Sequence, residues 1–164
     1  MDFEIVKELR DEFVRKSKTL SLAESCTGGM LSSLITQIPG ASQFFLGSLV
    51  LYSNEWKKQF LGVSSIDEFG AVSSETVLEM AHHLLEKTSS DYVAAISGIA
   101  GPDGGTAEKP VGTVWVSLGE KNKRAVAFCL KLTGNRQAII EAAAHKTLLL
   151  LLHKIRGEKI SFSI

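Results

Sequence analysis

The chain has 164 residues, with 18 lysines and arginines against 18 aspartates and glutamates. Its length suits one domain, residues 1–164, able to bury about two-thirds of the surface that the unfolded chain exposes. The charge balance leaves no global field for nucleic acid or a membrane surface, so neither is an expected partner and any anion must be held locally.

Phe3, Val6, Leu9 and Phe13 recur at helical spacing among charged residues, which predicts an amphipathic first helix ending near the basic residues 16–18. A charged, periodic start of this kind is not a secretory signal, and a cytoplasmic location is expected. Residues 19–23 read as a short strand and 25–29 as a turn. From Met30 the pairs Met30/Leu31 and Leu34/Ile35, then Ile38, form one helical stripe stopped by Pro39-Gly40. Residues 46–53 form a β-rich run, followed by a polar, helix-compatible segment at 54–61 and a loop at 62–72. Ser73 can cap a further helix, with Glu75 in its first turn and Val77, Leu78, Ala81, Leu84 and Leu85 on the buried face, ending near Lys87.

Residues 92–96 are an unbroken apolar run, as expected for a central strand covered on both faces. They empty into a glycine-rich loop at 97–109. Residues 111–118 and 125–132 are two more strands, joined closely enough for an antiparallel hairpin. The last helix, 134–156, is rich in Ala, Ile and Leu. Its leucine run at 148–152 is far shorter than the roughly 20 residues that span a bilayer. This order implies an α/β fold, a three-layer α/β/α sandwich around a mixed, mostly parallel sheet of five or six strands. Ligands in such sheets bind at the carboxyl ends of the strands, where both glycine-rich turns should lie.

The first turn, Glu24-Ser25-Cys26-Thr27-Gly28-Gly29, follows a strand and opens a helix. Free N–H groups at such a start, with the helix dipole behind them, predict an anion site, and the paired glycines allow a ligand to approach the main chain. Ser25 or Thr27 offers a hydroxyl at the same place, and either would serve equally as a helix cap. Cys26 competes as a nucleophile, because a helix N-terminus lowers a thiol pKa. Against it, His82, His83, His145 and His153 all fall on predicted helices away from the strand ends, which leaves a thiol without a base. Cys26 and Cys129 lack the spacing of a zinc site or a disulfide framework and read as free thiols.

The second loop, Ser97-Gly98-Ile99-Ala100-Gly101-Pro102-Asp103-Gly104-Gly105-Thr106, has the length and glycine content of a ligand-contacting loop. It matches neither G-x-x-x-x-G-K-[ST] nor G-x-G-x-x-G, so nucleoside-triphosphate and dinucleotide readings lose their main support. Without a well-placed histidine, a serine nucleophile would need a lysine whose pKa burial depresses. Lys57 is the best placed, although alone it reads as a solvated helix lysine. Arg136 could hold a phosphate or carboxylate through a bidentate fork, or be an exposed arginine in a surface turn. No H-E-x-x-H, C-x-x-C, EF-hand loop or clustered Asp/Glu/His set appears, so neither a metal nor another cofactor is expected.

With these residues in hand, the chain resembles the CinA C-terminal-domain family over residues 20–152. The resemblance rests on Ala23 through Gly29, Tyr52-Ser53-Asn54-Glu55 with Lys57, Gly70-Ala71-Val72-Ser73, Ser97 through Thr106, and Lys109-Pro110-Val111-Gly112-Thr113-Val114. Enzymatic members of that family are nicotinamide-nucleotide amidohydrolases. The resemblance therefore implies hydrolysis of the carboxamide of nicotinamide mononucleotide, a small pyridine nucleotide, to nicotinate mononucleotide and ammonia. It makes Ser25 the nucleophile, Lys57 the general base, and Tyr52 and Arg136 supporting catalytic residues. Glu24, Thr27, Gly28, Gly29, Gly104, Gly105 and Thr106 would shape the substrate site, with backbone N–H groups of the first turn or of residues 104–106 as oxyanion donors. Arg136 or the main chain near Gly28-Gly29 would receive the phosphate. In some relatives the domain follows a larger enzymatic domain, whose activity is not carried over.

The alternative reading is a non-catalytic nucleotide- or partner-binding module of the same fold. A small kinase or transferase is disfavoured by the missing phosphate-loop lysine and metal ligands. A homodimer is expected mainly because symmetric dimers are common; Phe44, Phe45, Trp56 and Phe60 could form its contact, and burial in the same subunit explains them equally well.

Overall fold

Val6, Leu9 and Phe13, spaced three and four residues apart, are the buried residues of the first helix, α1 (Phe3–Arg15). The computed structural model describes residues 3–160. The alternating apolar runs form strands β1 (Leu20–Glu24), β2 (Phe45–Val50), β3 (Tyr92–Gly98), β4 (Thr113–Glu120) and β5 (Val126–Lys131). The further helices are α2 (Met30–Thr36), α3 (Asn54–Leu61), α4 (Ile66–Phe69), α5 (Ser74–Thr88) and α6 (Arg136–Arg156).

The strands make one five-stranded sheet in the order β2-β1-β3-β4-β5. β1 pairs in parallel with both β2 and β3, while β3–β4 and β4–β5 are antiparallel. Four of the five strands thus point the same way, although only half of the pairings are parallel. The chain leaves β1 toward β2 on one side and returns to β3 on the other. The carboxyl ends of β1 and β3 therefore flank a topological switch point, where such sheets open a crevice.

Helices cover both faces. Val6, Leu9 and Phe13 of α1, Leu31 and Ile35 of α2 and Ile139, Leu148 and Leu151 of α6 pack with Leu20, Leu22, Ile96 and Val116 of the sheet. On the other face, Leu61 of α3, Ile66 of α4 and Met80, Ala81 and Leu84 of α5 pack with Ala23, Val93 and Ala95. This is the expected three-layer arrangement. Among the described residues no helix is long and apolar enough to cross a membrane.

At three places the structure departs from the sequence reading or decides between its alternatives. The loop at 62–72 contains α4, whose single buried apolar residue, Ile66, leaves no periodicity to detect. Glu79 of α5 holds the start of that helix, accepting from Ser64 N (3.0 Å), Ser64 Oγ (2.9 Å) and Ser65 N (2.8 Å). Burial pushes the Glu79 carboxyl up, but these hydrogen bonds outweigh it and bring the pKa to about 2. Second, the run at 46–53 leaves the sheet after Val50, because Ser53 is recruited as the cap of α3 and accepts from Trp56 N at 3.1 Å. Third, of the two readings open for Phe44 the structure takes burial: it is 0% exposed, with its ring centroid 5.3 Å from that of Phe13. Phe45 is half-buried, whereas Trp56 and Phe60 are exposed and meet edge to face at 5.1 Å.

The turn between β1 and α2 is organised by Glu24, which is fully buried. Its Oε2 accepts from Thr27 Oγ1 (2.8 Å), Gly29 N (3.1 Å) and Leu31 N (3.0 Å). Its Oε1 accepts from Ser32 N (2.9 Å), Ser32 Oγ (2.6 Å) and Ser48 Oγ (3.2 Å). Gly28 and Gly29 adopt φ of 59° and 97°, a left-handed path that folds the helix start back over the carboxylate and that other residues rarely follow. A Glu24→Gln substitution turns an NH2 group toward donors and leaves buried N–H groups unpaired. It is expected to lower stability by about 3 kcal/mol, read from the urea midpoint at unchanged m-value.

Candidate active site

Ser25 is the first residue past β1, and its N–H donates to Ile96 O at 3.1 Å, which ties it to the end of β3. One cavity of about 270 Å³ opens there, lined by Ser25, Cys26, Tyr52, Asn54, Lys57, Ala71, Val72, residues 97–101, Asp103, Gly104 and Arg136. These groups come from five chain segments: the β1–α2 turn, the start of α3, the α4–α5 loop, the β3–β4 loop and the start of α6. No histidine is among the lining residues.

Lys57 lies one turn into α3 and is only 1% exposed. The helix start capped by Ser53 turns its side chain inward, where Nζ donates to Tyr52 O at 3.1 Å. It forms no ion pair among the described residues. Burial pulls its pKa below the ordinary lysine value, partly opposed by the Cys26 thiol and Glu55. The solvated-lysine reading therefore fails, because an apolar neighbour on the same helix, Leu61, and the sheet beneath carry this face inward.

Arg136 opens α6, whose N-cap Asn135 accepts from Ala138 N at 3.0 Å. Its Nη1 donates to Gly101 O and its Nη2 to Tyr52 Oη, each at 2.8 Å. The guanidinium thus spans the cavity rim, joining the β3–β4 loop to the start of α3. Tyr52 is itself 59% exposed and stands on that rim.

The remaining predicted site residues divide sharply. Gly104 lines the cavity; Gly105 and Thr106 do not. Gly105 packs so closely on the next segment that a Cβ there would stand 2.8 Å from Val111 N. Thr106 is used by its own turn, its N–H donating to Lys109 O (2.9 Å) and its Oγ1 accepting from Lys109 N (3.0 Å). Lys109 Nζ in turn donates to Phe69 O at 2.8 Å, which straps the loop to the end of α4.

Glu24, Thr27, Gly28 and Gly29 are also outside the cavity. Thr27 is a donor to Glu24, and Gly28 and Gly29 line a different hollow beside Phe3 and Met30. The expected anion site at the start of α2 is corrected here: its N–H groups at Gly29, Leu31 and Ser32 already point at the Glu24 carboxylate. An internal anion occupies the position that a substrate phosphate would need.

Cys26 is buried against the same core as α1, α2 and α6. Burial pushes its thiol up to about 12, outweighing its own backbone N–H and the nearby Lys57 and Arg136. Asn54, Ser97 and Asp103 line the cavity without having been singled out as individual site residues. Their positions inside the Tyr52–Glu55 and Ser97–Thr106 motifs were the only signal for them.

A family model for the CinA C-terminal domain matches residues 2–155. A CinA-like protein of Thermotoga maritima is 44% identical over 161 residues, covering 97% of this chain and 38% of its own length. Another, from Thermotoga neapolitana, is 50% identical over 138 residues, covering 83% of this chain and 33% of its own. The chain thus spans well under half the length of these relatives. Among solved structures, the competence/damage inducible protein CihA from Agrobacterium tumefaciens superposes with a TM-score of 0.90 at 34% identity, covering 94% of both chains.

The two thiols should separate chemically. With a thiol-selective reagent under native conditions at neutral pH, the exposed Cys129 is expected to react at once and the buried, protonated Cys26 only after denaturation. Equal rates for both would contradict the placement of Cys26.

Proposed function

The chain belongs to the CinA C-terminal-domain family, and from that premise we propose that it hydrolyses the carboxamide of nicotinamide mononucleotide to nicotinate mononucleotide and ammonia. The observation that carries this reading is the pairing in one cavity of a serine hydroxyl, Ser25, with a fully buried lysine, Lys57, and no histidine.

Lys57 in its neutral form, which burial favours, takes the proton of Ser25 as its oxygen attacks the carboxamide carbon. A tetrahedral intermediate forms. Its oxyanion would be met by N–H groups of the β1–α2 turn or of Gly104, the latter making no backbone–backbone hydrogen bond within the turns and loops described. Each such donor contributes on the order of 3 kcal/mol. Lys57 then returns its proton to the departing nitrogen, ammonia leaves, and Ser25 holds the acyl group as an ester. Water attacks that ester with Lys57 again as base, releasing the acid and restoring the serine.

Arg136 is the cation at the mouth of the cavity, and Tyr52 braces it. This favours Arg136 over the Gly28-Gly29 main chain as the group that receives the substrate phosphate, since the latter is closed by Glu24. Two of its nitrogens are already fixed, which orients the guanidinium before substrate arrives.

The test is ammonia release from nicotinamide mononucleotide, alongside the corresponding nucleoside and simple amides. Ser25→Ala and Lys57→Ala are each expected to lower kcat/KM by about 10² or more, while Cys26→Ala keeps most activity. The profile of kcat/KM against pH should rise as Lys57 loses its proton, with its limb below the ordinary lysine value of 10.5. The sign follows from the lysine acting as base only when neutral, so activity is lost as pH falls through its pKa. Activity surviving in Ser25→Ala but lost in Cys26→Ala would move the nucleophile. Stabilisation by the nucleotide with no ammonia release would make the domain a binding module.

A further inference from the structure

Away from the cavity, the second half of α5 brings His82, His83 and Glu86 together. One ring nitrogen of each histidine and one carboxylate oxygen all lie within 4.8 Å of one another. Their i, i+1, i+4 spacing is none of the common ligand motifs, which is why the sequence reading found no metal set. Helical geometry brings Glu86 within reach of both histidines, since residues three and four apart are neighbours on a helix surface.

His82 Nε2 is 3.5 Å from Glu86 Oε1. Two donors bound to one ion at 2.0–2.2 Å and held at the tetrahedral angle stand about 3.4 Å apart, so this pair already has a chelating separation. Both side chains are more than half exposed, leaving the further positions of an ion open to water. His83 is more constrained. Its ring packs against the αL residue that ends α3, where a Cβ on Gly62 would meet Nδ1 at 3.8 Å. That Nδ1 is buried and has no hydrogen-bond partner among the described residues. An unpartnered buried nitrogen in a native fold calls for an explanation, and an unseen water or ion is one.

The donor chemistry selects the ion. Calcium and magnesium require a shell of oxygens, and one carboxylate does not provide it. Two imidazoles and a carboxylate suit zinc and its first-row neighbours. Two cations, Lys123 and Arg124, share a hollow with His82, and Lys123 is offset by its pairing to Glu120 at 2.7 Å.

We propose that His82, His83 and Glu86 form a binding site for a divalent transition-metal cation of the zinc class, three protein ligands with water completing the coordination, outside the active-site cavity. All three ligands sit on one helix, so the ion would brace the second half of α5 without entering the hydrolytic mechanism.

The test is calorimetric titration of the full chain, free of any histidine tag, with Zn²⁺ and separately with Mg²⁺. One saturable equivalent of Zn²⁺ and no binding of Mg²⁺ are expected. Cys129→Ser, which removes the exposed thiol, should leave the Zn²⁺ affinity unchanged, whereas His82→Ala, His83→Gln and Glu86→Ala should each weaken it at least tenfold. His82→Ala and Glu86→Ala change exposed positions, and circular dichroism of each variant checks that the fold is intact. Absence of saturable binding, loss of binding in Cys129→Ser, or undiminished binding in the combined His82, His83 and Glu86 variant would overturn the site.

Discussion

The architecture of the site depends on one buried carboxylate. Glu24 closes β1, and its two oxygens accept six hydrogen bonds, from the β1–α2 turn, the first turn of α2 and Ser48 on β2. Taking a carboxylate fully out of water is costly unless its lone pairs are used. Here all are engaged, and the helix dipole favours a negative group at that end. A strand, its parallel neighbour and a helix are thereby locked in one register. Ser25, the next residue in the chain, has little freedom to be anywhere but at the switch point of the sheet.

The same interaction decides what the site can bind. A helix start with glycines ordinarily offers its N–H groups to an external anion. In this fold the anion is internal, and the cation at the cavity stands on the opposite wall, where Arg136 is braced between Gly101 O and Tyr52 Oη. Lys57 completes the arrangement from a different direction. Its burial depresses the pKa, in a cavity whose lining includes no imidazole. Cys26 shows the opposite effect of the same desolvation: a thiol beside a helix start remains protonated because burial dominates.

Much of the fold was legible because it follows periodicity. The stripe Val6, Leu9, Phe13 marked α1, the polar run at 54–61 coincided with α3, and Ser73 was the cap of α5. The lining residues Ser25, Lys57, Tyr52, Gly104 and Arg136 came from the family pattern, since spacing alone left Ser25, Thr27 and Cys26 in competition. Features that depend on where a side chain folds back were not legible. Counting free N–H groups at the start of α2 could not show that Glu24, five to eight residues earlier, returns to take them. Gly105 and Thr106 look like Gly104 in sequence, but close packing on Val111 and the turn with Lys109 withdraw them from the cavity. The burial of Phe44 and the convergence of His82, His83 and Glu86 were not decided by the sequence for a related reason: their neighbours come from other elements or from helical turns that no short motif records.

The central claim is that Ser25 carries the acyl group during turnover. Rapid quenching of the protein during steady-state hydrolysis of nicotinamide mononucleotide, followed by mass spectrometry of its peptides, tests it most directly. The account requires an ester of the pyridine carboxylate on the peptide containing residues 24–29, located at Ser25 by fragmentation and absent from Ser25→Ala. An adduct on Cys26, or ammonia accumulating in Ser25→Ala at the rate of the unaltered protein, would contradict it.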